Sequence, residues 1–297
     1  MLSRVTAQSA VWAWRSDQTV SLLSPRHAGS WYQACVHPEG EWAVFWGGAI
    51  GEVPRIWRSD LYSPTPEALT SDAFDARHPV FGLAGDRIVF ASDMRSDHHR
   101  TVVGDNTLHG GTPAGRPWNI FTMANDGTDL RQVTHGHYVD HRPSLSPDGT
   151  TVAFVSDRGP GVGIWHVPAD GSDEPKCLSS SGDVMLYRPW WAITGDEVFC
   201  IRLSRERHQI GRVTLADGHW RPLSNDDRGN TRGPYADPER DCVLAHSDRD
   251  GAFALWEIPL DGSAMVKLIP PGRSPDAVLH GTRARNGNVT FDAPRPK

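Results

Sequence analysis

Residues 141–171 read HRPSLSPDGTTVAFVSDRGPGVGIWHVPADG, and the fold follows from how this stretch is built. A Pro-led apolar segment runs into a Pro-Asp-Gly turn, a second ends in Phe-Val-Ser-Asp, and a third, around Ile164-Trp165, leads to an Asp-Gly turn. Short apolar runs punctuated by turn residues at this spacing read as an antiparallel meander. The frame recurs. Residues 77–93 read RHPVFGLAGDRIVFASD and resume after an insertion as NIFTMANDG at 119–127. Further copies start at Tyr187 (YRPWWAITGDEVFCIRLSRERHQIGRVTLADG), at Arg232 (RGPYADPERDCVLAHSDRDGAFALWEIPLDG) and, more loosely, at Tyr32 (YQACVHPEGEWAVFWGGAIGEVPRIWRSD).

Aligning the copies on the first strand makes Gln33, His78, Arg142, Arg188, Gly233 and His280 equivalent, at spacings of 45, 64, 46, 45 and 47 residues. The long spacing contains the insertion from Met94 to Trp118. After His280 there is room for only two strands, whereas AVWAWRSDQTVSLLS, before Ser30, supplies two outer strands without inner ones. The expectation is an all-β chain forming a single domain over 1–297, a six-bladed β-propeller of four-stranded antiparallel blades. Its N- and C-terminal strands should pair in one blade, with residues near 281–293 inside and 8–24 outside, leaving no long unpaired edge.

Composition agrees: 29 Gly, 23 Pro and 12 Trp in 297 residues suit a turn-rich all-β chain and not a helical bundle. A net charge of -6 offers no broad basic surface, so no nucleic acid partner is expected. No stretch approaches the roughly 18 apolar residues of a membrane span, so no membrane partner is expected either. The first nineteen residues, broken by Arg4, Arg15 and Asp17, lack the apolar core of a secretory signal, and a cytoplasmic location is expected. Cys35, Cys177, Cys200 and Cys242 have neither CxxC nor zinc-type spacing and read as free thiols.

SPDGTTVAFVSDRG followed by IWHVPADG resembles the PD40 (TolB-like) β-propeller repeat, a relative of WD40 repeats, over nearly the whole chain. That repeat occurs in the TolB translocation protein, in the propellers of prolyl-oligopeptidase-type peptidases and in oligogalacturonate lyases. Within the repeat, Asp93, Asp157 and Asp248 are expected to bond backbone amides in turns. Trp57, Trp165 and Trp256 are expected to pack between blades.

In such a meander the start of the inner strand and the loop between strands two and three share a face. The 94–118 insertion should therefore overhang the channel mouth as a lid or binding loop, bringing His98, His99 and His109 over it. The inner strands begin Tyr32-Gln33, Arg77-His78, His141-Arg142, Tyr187-Arg188, Arg232-Gly233 and Leu279-His280. Imidazoles and a carboxamide converging there are candidate ligands for a divalent metal, Mn²⁺ or Zn²⁺: Gln33, His78, His141 and His280. The neighbouring guanidiniums of Arg142, Arg188 and Arg232 are suited to hold a carboxylate or phosphate bidentately. Trp31, Tyr32, Arg77, Trp190, His135 and His137 are candidate substrate contacts, and strand alternation lets at most one of Trp190 and Trp191 face the channel. G-x-S-x-G, HExxH, Walker A and dinucleotide-binding motifs are absent. Asp140 and Asp237 are the only acids near the mouth, poor support for two-carboxylate glycoside hydrolysis.

Resemblance to the oligogalacturonate lyases implies a metal held by His and Gln at the propeller centre, a uronate carboxylate bound to it, and bond cleavage by β-elimination. Carried onto this chain, it sets Arg142, Arg188 and Arg232 against the developing enediolate, with His141, Tyr187 or one of the arginines as base. The chain departs from that family in having six blades rather than seven, and in reading Asp140-His141-Arg142-Pro143 where the lyases have a His-Pro-His-Pro-like strand. The expected partner is a small anionic saccharide. Two alternatives stay open: a non-catalytic TolB-like scaffold with a protein partner, and an enzyme acting on a small anionic metabolite.

Overall fold

The computed structural model describes residues 9–27, 29–94, 107–108, 112–113, 117–180, 182, 184–204, 207–223, 228–268 and 279–294. They form six four-stranded antiparallel sheets, each a blade. The inner strands of blades 1 to 5 are Gly29–Val36, Ala76–Phe81, His141–Leu145, Met185–Trp191 and Thr231–Ala236. Blade 6 is composite, ordered from the inside as Leu279–Arg283, Val289–Pro294, Ser9–Trp14 and Val20–Leu22. The chain ends thus close the ring by β-pairing, from Ser9 opposite Pro294 to Trp14 opposite Val289. Most of the 94–118 insertion lies outside the described residues; Thr107–Leu108 pairs with Thr112–Pro113 within it.

Blades adhere through apolar faces generated by the period-2 alternation of each strand. Val11, Leu23, Trp31, Phe45 and Leu61 fill the interface between blades 6 and 1. Cys35, Val44, Ile56, Phe81 and Phe90 fill that between blades 1 and 2. The repeat aspartates are structural. Asp93 Oδ1 accepts the Asp75 amide at 2.8 Å and Asp157 Oδ1 the Val139 amide at 2.9 Å, while Asp248 Oδ1 accepts the Asn230 amide. Each thereby ties the end of a second strand to the chain entering the inner strand beside it. Trp57 and Trp256 are buried, as the repeat requires.

Every inner strand carries a bulge at one repeat position. Tyr32 faces Trp46 and Cys35 faces Val44, so one extra residue is inserted, and the same shift recurs at 77/80, 141/144, 187/190, 232/235 and 279/282. Inside these bulges Gln33, His78, Arg142, Arg188, Gly233 and His280 all adopt left-handed backbone, with φ between 48 and 67°. Five of the six are not glycine, and each costs about 1–2 kcal/mol. Since all six blades share it, the bulge belongs to the architecture; what differs from blade to blade is the side chain it presents. Proline follows in four of them, at Pro79, Pro143, Pro189 and Pro234. The channel-facing edge tolerates it because no further strand needs that amide.

Candidate functional site

The left-handed residues form a ring around the top of a cavity of about 80 Å³ on the channel axis. From blade 4, Arg188 reaches over Gly233 of blade 5 to blade 6, where its Nη2 donates to His280 Nε2 at 2.7 Å. A guanidinium only donates, so His280 carries its own proton on Nδ1 and gives it to Asp292 Oδ2 at 2.6 Å. Gly233 makes this crossing possible: a Cβ there would lie 2.9 Å from Arg188 Nη1 and 2.7 Å from His246 Cε1. The His246 and His280 rings meet edge to face at 4.8 Å.

Positive charge is concentrated in this ring. Burial and the neighbouring Arg188 hold Arg142 well below its ordinary pKa, and burial brings Arg188 down to about 10. Burial and adjacent cations also keep His78, His246 and His280 far below the usual imidazole range. The Asp292 charge acts on Arg188, and burial raises Asp292 to about 7. Arg232 lies over the Phe253 ring at 5.3 Å. Among the described residues neither Arg188 nor Arg232 has a carboxylate within 4 Å, unlike the buried Arg77 and Arg283 and the half-buried Arg158, which pair with Asp75, Asp237 and Asp140. The Tyr187 hydroxyl is hydrogen-bonded to His208 Nδ1, with Arg188, Arg232 and Arg142 around it.

Several expected contacts are placed elsewhere. Trp31 is fully buried in the blade 6–blade 1 interface, so it offers no ring face to a ligand. Arg77 is locked in a bidentate pair with Asp75 and stacked against Trp46 and Trp118. Tyr32 packs on Trp46 with ring centroids 5.0 Å apart. His135 and His137 stand exposed on the blade 2–blade 3 loop. His98, His99 and His109 lie outside the described residues. Trp190 does face the channel, while Trp191 is turned away and buried, as alternation demands.

The family profile of the TolB beta propeller domain, PD40, matches residues 112–275, more than half of the chain. The chain belongs to this family. Among curated proteins, the Tol-Pal system protein TolB of Bordetella pertussis is 34% identical over 53 residues, 18% of this chain and 12% of that protein. The match therefore spans about an eighth of the relative's length. Among solved structures, a putative TolB from Agrobacterium tumefaciens superposes with a TM-score of 0.73 at 15% identity, over 98% of this chain and all of that one. An oligogalacturonate lyase in complex with manganese superposes with a TM-score of 0.59 at 10% identity, over 94% of this chain and 80% of that one. At these identities the structural likenesses speak for the fold alone.

A metal like that lyase's does not fit the donors of this TolB-type propeller. Among the described residues no three His, Cys, Asp or Glu side chains form a coordinating group. Both ring nitrogens of His280 are engaged, and Gln33 Oε1 accepts the Trp46 indole proton at 2.9 Å. His141 Nδ1 lies 3.3 Å from the Val139 carbonyl. The guanidiniums of Arg142 and Arg188 act on His78 and His280, and would repel a dication there. The quartet Gln33, His78, His141 and His280, expected to bind Mn²⁺ or Zn²⁺, lies here beside the guanidiniums of Arg142 and Arg188, and His280 and Gln33 are engaged by protein partners.

Sequence reading missed three members of the cluster, His208, His246 and Asp292. For two of them the repeat held the signal. The ladder position opposite the residue before the bulge is Trp46, Ala91, Val155 and Ile201 in blades 1 to 4, but His246 and Asp292 in blades 5 and 6. Polar residues in an otherwise apolar repeat slot mark the side of the ring where the buried network lies.

Proposed function

We propose that this TolB-type propeller binds a small carboxylate-bearing molecule at its channel mouth, through Arg188 and Arg232 with Arg142 beside them. The observation that carries this is a concentration of guanidiniums, Arg142 buried and Arg188 and Arg232 half-buried, in which the Asp292 carboxylate reaches Arg188 only through His280 among the described residues. Desolvated like charges at this density are unfavourable unless an anion shares them. Planar guanidiniums match a carboxylate bidentately, as an ammonium does not.

The same arrangement suits abstraction of a proton α to that carboxylate. Arg142 and Arg188 would neutralise the enediolate; because burial keeps the Tyr187 phenol protonated, it would take the α proton only as its own passes to His208 Nδ1, making the Tyr187–His208 pair the candidate base. On a uronate saccharide, elimination would remove the C5 proton, break the bond from C4 to the glycosidic oxygen, which takes a proton from water as it leaves, and form a C4–C5 double bond. The likeness to an oligogalacturonate lyase supports assaying that class, and small carboxylate metabolites form the other. Calorimetry over both classes tests the reading, with ultraviolet absorbance of unsaturated uronate products followed in the presence and absence of Mn²⁺. Arg188→Lys should weaken binding about tenfold or more. Tyr187→Phe should abolish any elimination while leaving affinity nearly unchanged. The sequence match to TolB favours a rival reading, a protein-binding scaffold whose ring is an inert plug. Absence of binding by every carboxylate in the panel would decide for it.

A further inference from the structure

Below the cationic ring the cavity changes character. Its walls are the rings of Pro79, Pro143, Pro189 and Pro234 together with Val80, and Trp190 lies across it. Trp190 packs against the core of blades 3 to 5 and also against that of blades 1 and 2, so its indole crosses the axis and floors the chamber. It rests on Tyr235, ring centroids 4.5 Å apart. Three polar side chains of the wall are committed to the protein. Tyr235 Oη donates to the Arg283 carbonyl at 2.8 Å, Thr282 Oγ1 accepts the Val36 amide at 2.9 Å, and Cys35 Sγ accepts the Phe81 amide at 3.5 Å. A ligand hydroxyl entering here would give up water without gaining a partner from these groups.

We infer that the chamber receives the apolar body of the ligand, so that this mouth selects short hydrophobic carboxylates, straight, branched or aryl, over polyhydroxylated uronates. The inference rests on the carboxylate reading of the ring and narrows it. Such a ligand enters body first, sets its methylenes or ring against the prolines and Trp190, and leaves its carboxylate at the level of Arg188 and Arg142. At about 10–15 Å³ for each water-sized site, the chamber has room for a few carbon atoms, not for a chain of sugar rings.

Titration calorimetry with acetate, propanoate, butanoate, pentanoate, benzoate, galacturonate and digalacturonate tests this on the unmodified protein. Affinity should rise about fourfold with each methylene that enters the chamber and then level off. Galacturonate should bind no better than acetate. Val80→Phe, checked for folding by circular dichroism, fills the chamber and should cut pentanoate binding at least tenfold while sparing acetate. A flat series with tight uronate binding overturns the chamber assignment and leaves the anion site standing. Pentanoate affinity unchanged in folded Val80→Phe overturns it too. If no member of the panel binds, the anion site and the chamber fall together.

Discussion

Replacing Gly233 by alanine probes the crossing of Arg188 most directly. Two costs are separable. The residue sits at φ 67°, where an L side chain costs about 1–2 kcal/mol, as its five counterparts already do. The new Cβ would also lie 2.7 Å from His246 Cε1, 2.8 Å from His246 Nδ1 and 2.9 Å from Arg188 Nη1. Arg188 can swing aside, but the buried His246 ring cannot, and overpacking of this kind costs about 1–3 kcal/mol. Gly149→Ala is the matched control, because Gly149 has φ 74° and open space where a Cβ would go. Guanidinium denaturation should therefore show Gly233→Ala less stable than Gly149→Ala by about 1–3 kcal/mol. Carboxylate affinity should fall only in Gly233→Ala, since displaced Arg188 loses His280. Equal stability of the two variants, with carboxylate affinity intact in both, would refute the placement of Arg188 over Gly233.

Burial raises Asp292 to about 7, so from about pH 8 to 6 it takes up a proton and the ring of Arg142, Arg188, Arg232, His246 and His280 becomes more positive. Carboxylate affinity should increase over that interval, and Asp292→Asn should flatten the profile measured by calorimetry. In stability, a carboxyl raised from 3.8 contributes fully at acid pH and loses that contribution as pH rises through about 7; His280, held below the imidazole range, opposes it on acidification below 6.5. Arg77→Met removes the bidentate partner of the buried Asp75 carboxylate and should lower stability in denaturant unfolding, with ligand affinity of the folded molecules unchanged. Trp31→Ala should cost about 3–5 kcal/mol, again without a change in affinity, because Trp31 is core. Adding Mn²⁺ or Zn²⁺ should leave the melting temperature unchanged, and a rise of several degrees would contradict the engagement of His280 and Gln33 by protein partners.

The six-bladed ring was legible because each copy repeats its turns and apolar runs, and the alignment placed Gln33, His78, Arg142, Arg188, Gly233 and His280 in register. The bulge around them was not legible, since an extra residue in a strand leaves no trace in hydrophobic periodicity. It decides where these side chains go, and it brings Arg188 to His280 two blades away. Metal ligation was inferred from residue types alone. Imidazoles beside guanidiniums look the same in sequence as imidazoles around a cation, and only their partners, Asp292 for His280 and Trp46 for Gln33, tell the cases apart. Trp31 misled for a related reason: an indole beside the mouth in sequence packs between blades when its place in the alternation points sideways.

The composite sixth blade ties assembly of the ring to assembly of the mouth. His280 and Asp292 sit on its two inner strands, which the chain supplies last, while the strand that pairs with them is supplied first. Bringing such distant segments together carries a loop-closure entropy of about 5 kcal/mol on a logarithmic length law. Non-local pairing of this kind is slow to form in general. Until that seam zips, Arg188 has no His280 to meet, so the anion site proposed at the mouth is incomplete without it. A ligand that bridges blades 4 and 6 would then act as a latch on the seam, slowing unfolding more than it speeds folding.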